Sequence, residues 1–126
     1  MSVLVDTSVW IRFLSNRHPY AAALDRLLSD NDVIGHEFVY GELLIGDRSG
    51  RKKLLAHYDL MDRAPVVPHS EVATFVRERN LQGRGIGWID AHLLASTLVG
   101  GLRLWTADVA LALVAKDIEV AYEFSA

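Results

Sequence analysis

Short apolar runs alternate with helical stretches along this chain, and that alternation constrains its fold more than any other feature. Residues 2–5 are apolar enough for a buried strand, and residues 7–14 read as a helix with Val9, Trp10, Phe13 and Leu14 along one side. A second helix opens at Pro19 and carries Ala23, Leu24, Leu27 and Leu28. It stops at the turn-forming run Asp30-Asn31-Asp32. Residues 33–35 form a weak strand, 37–45 a helix stopped by Gly46, and 51–61 a shorter helix. Pro65 and Pro68 bracket a short strand, and residues 69–82 are helical through Val72, Phe75, Val76 and Arg79. After the break at Gly83, Gly85 and Gly87, residues 88–99 make a strongly apolar helix ended by Gly100-Gly101. A strand at 102–106, a short helix at 109–115 and a final strand at 118–122 complete the pattern.

Strands that alternate with helices imply a parallel sheet with helices on both faces. In such sheets the ligand crevice lies outside the carboxyl ends of the strands. Asp6 follows the first strand and Asp108 follows the strand at 102–106, so both are expected at one edge of the sheet. Each also suits a plain helix N-cap. Thr7 or Ser8 is an alternative cap for the first helix, which would leave Asp6 free for other work.

Two further acids sit on apolar helix faces. Glu42 shares its face with Phe38, Val39 and Ile45, and Asp90 shares its face with Ile86, Leu93 and Leu94. A buried carboxylate needs a partner, a proton or a metal. A salt bridge or a solvent-reaching stripe edge would serve Glu42. A favourable interaction with the helix dipole would serve Asp90 in its first turn. If the four acids converge, their mutual repulsion calls for a compensating cation. Oxygen donors suit Mg²⁺ or Mn²⁺ rather than zinc. Such ions favour phosphoryl-ester hydrolysis, because they lower the pKa of a bound water and stabilise charge on the phosphate.

Composition removes several classes. With 51% hydrophobic residues in 126, the chain can bury a core, and one domain spanning 1–126 is expected. The absence of cysteine excludes disulfides, zinc-thiolate sites and thiol catalysis. The opening residues lack the basic run of a signal peptide, and no apolar run reaches the roughly 18 residues of a membrane helix. A cytoplasmic, membrane-free protein is expected. Thirteen Lys and Arg against 16 Asp and Glu give a net charge of −3, so any nucleic-acid contact must be local or carried by metal.

Four segments in register, VLVDTSVWI at 3–11, VYGELLIG at 39–46, GIGWIDAHLLAS at 85–96 and LRLWTADVAL at 102–111, resemble the PIN-domain nucleases, and specifically the VapC-type toxins of bacterial toxin–antitoxin pairs. The resemblance implies a three-layer α/β/α sandwich with a parallel sheet of about five strands. It implies Mg²⁺- or Mn²⁺-dependent cleavage of single-stranded RNA, a homodimer, and inhibition by a cognate antitoxin that covers the active site. By match, Asp6, Glu42, Asp90 and Asp108 form the acidic quartet, with Asp6 and Asp90 the most direct metal ligands. Ser8 and Thr106 match small hydroxyl residues that orient ligands or water. The chain departs from many relatives at Ala107 and Val109, where basic residues often flank the last acid.

Other signals are weaker. Arg48, Arg51, Lys52 and Lys53 read better as a solvated helix start than as an RNA contact. Arg84, in a glycine loop before Asp90, is a candidate RNA-binding residue. His92 is expected on an exposed face, and Trp10, Trp88 and Trp105 in the core, with Trp88 able to edge the crevice. Two other functions compete: a noncatalytic RNA- or protein-binding module on the same fold, and a Mg²⁺-dependent phosphatase or phospho-receiver. The second ranks low because Thr-Ser-Val follows Asp6 with no second acid.

Overall fold

The computed structural model describes residues 2–48 and 50–123. The central strand β1 (Val3–Val5) is buried at every position. Successive strand residues point to opposite faces, so complete burial means that both faces of the sheet are covered. β2 (Val33–Ile34) pairs in parallel with one side of β1, in register Val3 with Val33, and β3 (Arg103–Trp105) pairs in parallel with the other, Val3 with Arg103. The order β2-β1-β3 makes the first strand the middle one. The strand expected at 65–68 is absent, with only a single parallel bridge before it, Gly35 with Arg63, and the one expected at 118–122 shrinks to a single bridge, Leu104 with Ala121.

The reasons are local. Between Pro65 and Pro68 the chain forms no strand, and proline supplies no N–H to a ladder. At the other edge, Glu119 turns through φ 63°, and the Val120 N–H returns to the Ala115 carbonyl at 2.9 Å. That turn consumes the first half of the expected strand.

The helices follow the alternation. α1 (Thr7–Leu14) and α2 (Tyr20–Ser29) pack together between β1 and β2 in sequence. α3 (Glu37–Ile45) packs on α1 and on α4 (Lys52–Asp59), and α5 (His69–Glu78) packs on α6 (Trp88–Gly100), which lies against β3. α7 (Val109–Asp117) closes the series. α5 ends before the expected residue 82 because Asn80 takes a left-handed conformation, φ 55°, and turns Leu81 into the core. α6 ends on Gly101, whose φ of 64° suits a residue without Cβ.

The core gathers Leu4, Trp10, Leu24, Tyr58, Leu93, Leu94, Leu104, Trp105 and Leu111. Trp10 and Trp105 are each 1% exposed, but Trp88 is 43% exposed and lies outside the core. No helix among the described residues is long and apolar enough to cross a membrane.

Candidate active site

The carboxyl end of β1 delivers Asp6 to the N-cap position of α1. Its side chain makes no capping hydrogen bond, although the residue is only 6% exposed. Instead Asp6 Oδ2 accepts two hydroxyl protons, from Ser8 at 2.7 Å and from Thr106 at 2.8 Å. Each hydroxyl in turn accepts a backbone N–H: Ala107 donates to Ser8 Oγ at 3.0 Å, and Asp108 donates to Thr106 Oγ1 at 3.0 Å. A hydroxyl carries one proton. Both protons are committed to Asp6, so the 3.3 Å approach of Ser8 Oγ to Thr106 Oγ1 is proximity, not a bond. Ser8 and Thr106 therefore hold the Asp6 carboxylate. They also tie the end of β1 to the loop after β3.

Glu42 is half-buried, and its Oε1 accepts the Thr7 hydroxyl proton at 2.7 Å. Thr7 adjoins Asp6, so this bond brings the acid of α3 to the end of β1. The sequence offered Thr7 only as a cap. A hydroxyl between Asp6 and the capping position of Ser8 was the available signal.

Asp90 lies in the first turn of α6, where its Oδ2 accepts the Gly87 N–H at 2.9 Å. Burial pushes its carboxyl above the usual range. The Gly87 N–H pulls the other way, and the negative charges of Asp6 and Asp108 push it up again. That response puts Asp6, Asp90 and Asp108 within one electrostatic neighbourhood. Asp108 is exposed and caps α7, its Oδ1 accepting the Leu111 N–H at 3.0 Å. The capping alternative thus holds for Asp108 and fails for Asp6. A cleft of about 300 Å³ opens beside Asp108, lined by Tyr20, Thr106, Ala107 and Val109 among others.

None of the four acids is ion-paired among the described residues, whose salt bridges are Arg63–Asp59 and Arg84–Asp117, each 2.6 Å. Nor do three carboxylate or imidazole groups there stand in a ready-made ligand cluster. Each acid has one oxygen engaged by the chain: Asp6 Oδ2, Glu42 Oε1, Asp90 Oδ2 and Asp108 Oδ1. The second oxygen of each has no hydrogen-bond partner among the described residues.

Arg84, the candidate RNA-binding residue, pairs with Asp117 at the far end of α7. One expectation needs correction: His92 is not exposed. It is 4% exposed, and its ring lies 4.8 Å from Phe38 and 5.1 Å from Trp88. Arg48, Arg51, Lys52 and Lys53 are solvated, as expected.

A family model described as the PIN domain matches residues 3–117. The chain belongs to the PIN-domain family. This PIN domain is 45% identical over 107 residues to "Ribonuclease VapC32" of Mycobacterium tuberculosis, in both the CDC 1551 / Oshkosh and H37Rv strains, and each match covers 84% of either chain. The resemblance to VapC-type members is thereby upheld. Among solved structures, PAE2754 from Pyrobaculum aerophilum aligns with a TM-score of 0.58 and 18% identity, covering 90% of this chain and 78% of that one. At that identity the match speaks to the fold, and it agrees with a parallel sheet between helical layers.

Proposed function

We propose that this PIN domain is an endoribonuclease toxin. It hydrolyses RNA phosphodiester bonds with Mg²⁺ or Mn²⁺ held among Asp6, Glu42, Asp90 and Asp108. The observation that carries this reading is that four acids stand without an ion pair among the described residues, each with one oxygen engaged by the chain, while Asp6 and Asp108 add to the rise in Asp90 proton affinity that burial begins. The relatives named Ribonuclease VapC32 support the substrate class.

The donor set fits a hard divalent ion. Mg²⁺ keeps several waters and takes only one or two carboxylates from a protein, so an open group of half-engaged acids suits it better than a closed cage. Asp6 and Asp90 are the principal holders, and Glu42 and Asp108 stand at the margins. When bound, the cation supplies Lewis acidity toward water and the scissile phosphate. Ser8 and Thr106 fix the Asp6 carboxylate by occupying one oxygen, so that the other keeps a constant direction. Thr7 does the same for Glu42.

The reading extends to partners. A cognate antitoxin covers the acids, the protein acts as a homodimer in the cytoplasm, and residues 1–126 form one nuclease domain. Purified protein incubated with single-stranded RNA should cut it with Mg²⁺ or Mn²⁺ and stop with EDTA, and Asp6→Asn should be inactive. Undiminished cleavage by the variant refutes the site. RNA binding without turnover in either metal would instead make the domain a noncatalytic module.

A further inference from the structure

His36 is fully buried at the start of α3, and its polar atoms join three helices. Nδ1 accepts the Phe38 backbone N–H at 3.0 Å, which caps α3. An atom that accepts an N–H cannot itself carry a proton, so the ring proton resides on Nε2. Nε2 then donates to Ser96 Oγ, 2.9 Å away on α6. The His36 backbone N–H donates to the Tyr58 hydroxyl of α4 at 2.8 Å. Burial, with His92 and Arg63 nearby, pulls the imidazole down to about 4, and burial pushes Tyr58 up to about 12, so both groups stay neutral through the physiological range. The ring thus meets Phe38 on α3 and Ser96 on α6, with His92 and the charge of Arg63 acting on it, while Tyr58 on α4 bonds the His36 backbone.

Capping alone does not call for histidine. Ser, Asn and Asp are the preferred N-caps. Imidazole differs in offering an acceptor on one side of the ring and a donor on the other. Here those two atoms engage the helix of Glu42 and the helix of Asp90.

We propose that His36 is a positioning residue whose imidazole bridge from the α3 N-terminus to Ser96 sets the spacing of Glu42 and Asp90. The proposal rests on the functional reading above, in which those acids hold the cation. Ser96→Ala removes the bridge and leaves the cap. His36→Asn keeps a capping oxygen but is too short to reach Ser96. The purified variants and the double variant are to be compared with wild type by Mn²⁺ calorimetry, single-stranded RNA kinetics, thermal unfolding and ¹⁵N NMR of the His36 ring.

Each single variant should bind Mn²⁺ and turn over RNA about 10-fold less well, the size of effect that residues supporting metal ligands have. KM for RNA should change less than about two-fold, because the bridge touches no substrate. The double variant should be no worse than either single one, as for two halves of one link. Wild-type NMR should show Nε2 protonated and Nδ1 bare. Variants that lose only thermal stability, or a double variant whose loss is the product of the two, overturn the proposal while leaving the functional reading intact. A wild type that neither binds Mn²⁺ nor cuts RNA overturns that reading, and the role of the bridge with it.

Discussion

Acidification should destabilise this protein through His36 in particular. The folded state holds the imidazole at about 4 against 6.5 for an ordinary histidine, chiefly by burial and then by the charges of His92 and Arg63. Between those values the unfolded chain takes up a proton that the folded chain refuses. The stabilising contribution is therefore complete above about pH 6.5 and is lost as pH falls toward 4. At about 1.4 kcal/mol per tenfold change in proton affinity, the loss amounts to roughly 3 kcal/mol. Asp90 works in the opposite direction, since its raised proton affinity in the folded state favours folding as pH falls. Both chains in the comparison share it. Urea unfolding of wild type and His36→Asn at intervals from pH 7 to pH 4 gives the two profiles. Wild-type stability should fall by roughly 3 kcal/mol more than that of the variant. Parallel profiles would show that the buried imidazole is not held neutral and would refute the reasoning.

Three further outcomes are expected. Asp90→Asn should abolish RNA cleavage yet raise the melting temperature by a few degrees, because the amide oxygen still accepts the Gly87 N–H while repulsion from Asp6 and Asp108 disappears. A lower melting temperature in differential scanning fluorimetry would contradict this. Thr7→Val should leave Glu42 Oε1 without its donor and cut turnover about 10-fold, with Thr7→Ser restoring it in the same RNA assay. Gly101→Ala should cost about 1 kcal/mol in urea unfolding without affecting cleavage, because Gly101 ends α6 in a left-handed conformation that a Cβ strains.

Where local pattern decides structure, the sequence was a good guide. The bounds of α1 and α3 follow from apolar spacing and, at the end of α3, from Gly46. Pairing partners lie far apart in sequence, so the outer strands were harder to read. Their apolar residues are present, but the segment between Pro65 and Pro68 pairs with nothing among the described residues, and the Glu119 turn limits the other to a single bridge. His92 was misplaced for a related reason. Periodicity assigns a solvent face only when one side of a helix is polar, and Ala91 through Thr97 are buried all the way round α6. The acids divide the same way. Apolar neighbours marked Glu42 and Asp90. No local feature could separate a capping Asp6 from one free of the cap, because what draws its carboxylate away from the helix is partly a hydroxyl at Thr106, 100 residues later.

That long reach bears on how the protein is made. β1 is made before β2 and β3, but it is the middle strand, and the loop that steadies Asp6 follows β3. A growing chain that has not yet laid down β3 carries Asp6 without Thr106, and has no Asp108 to set beside it. If the acids cut RNA, the ribosome that translates them is spared until β3 and the loop after it have been made. The order of strands then acts as a safety catch on the nascent protein, independent of any partner that restrains the finished one.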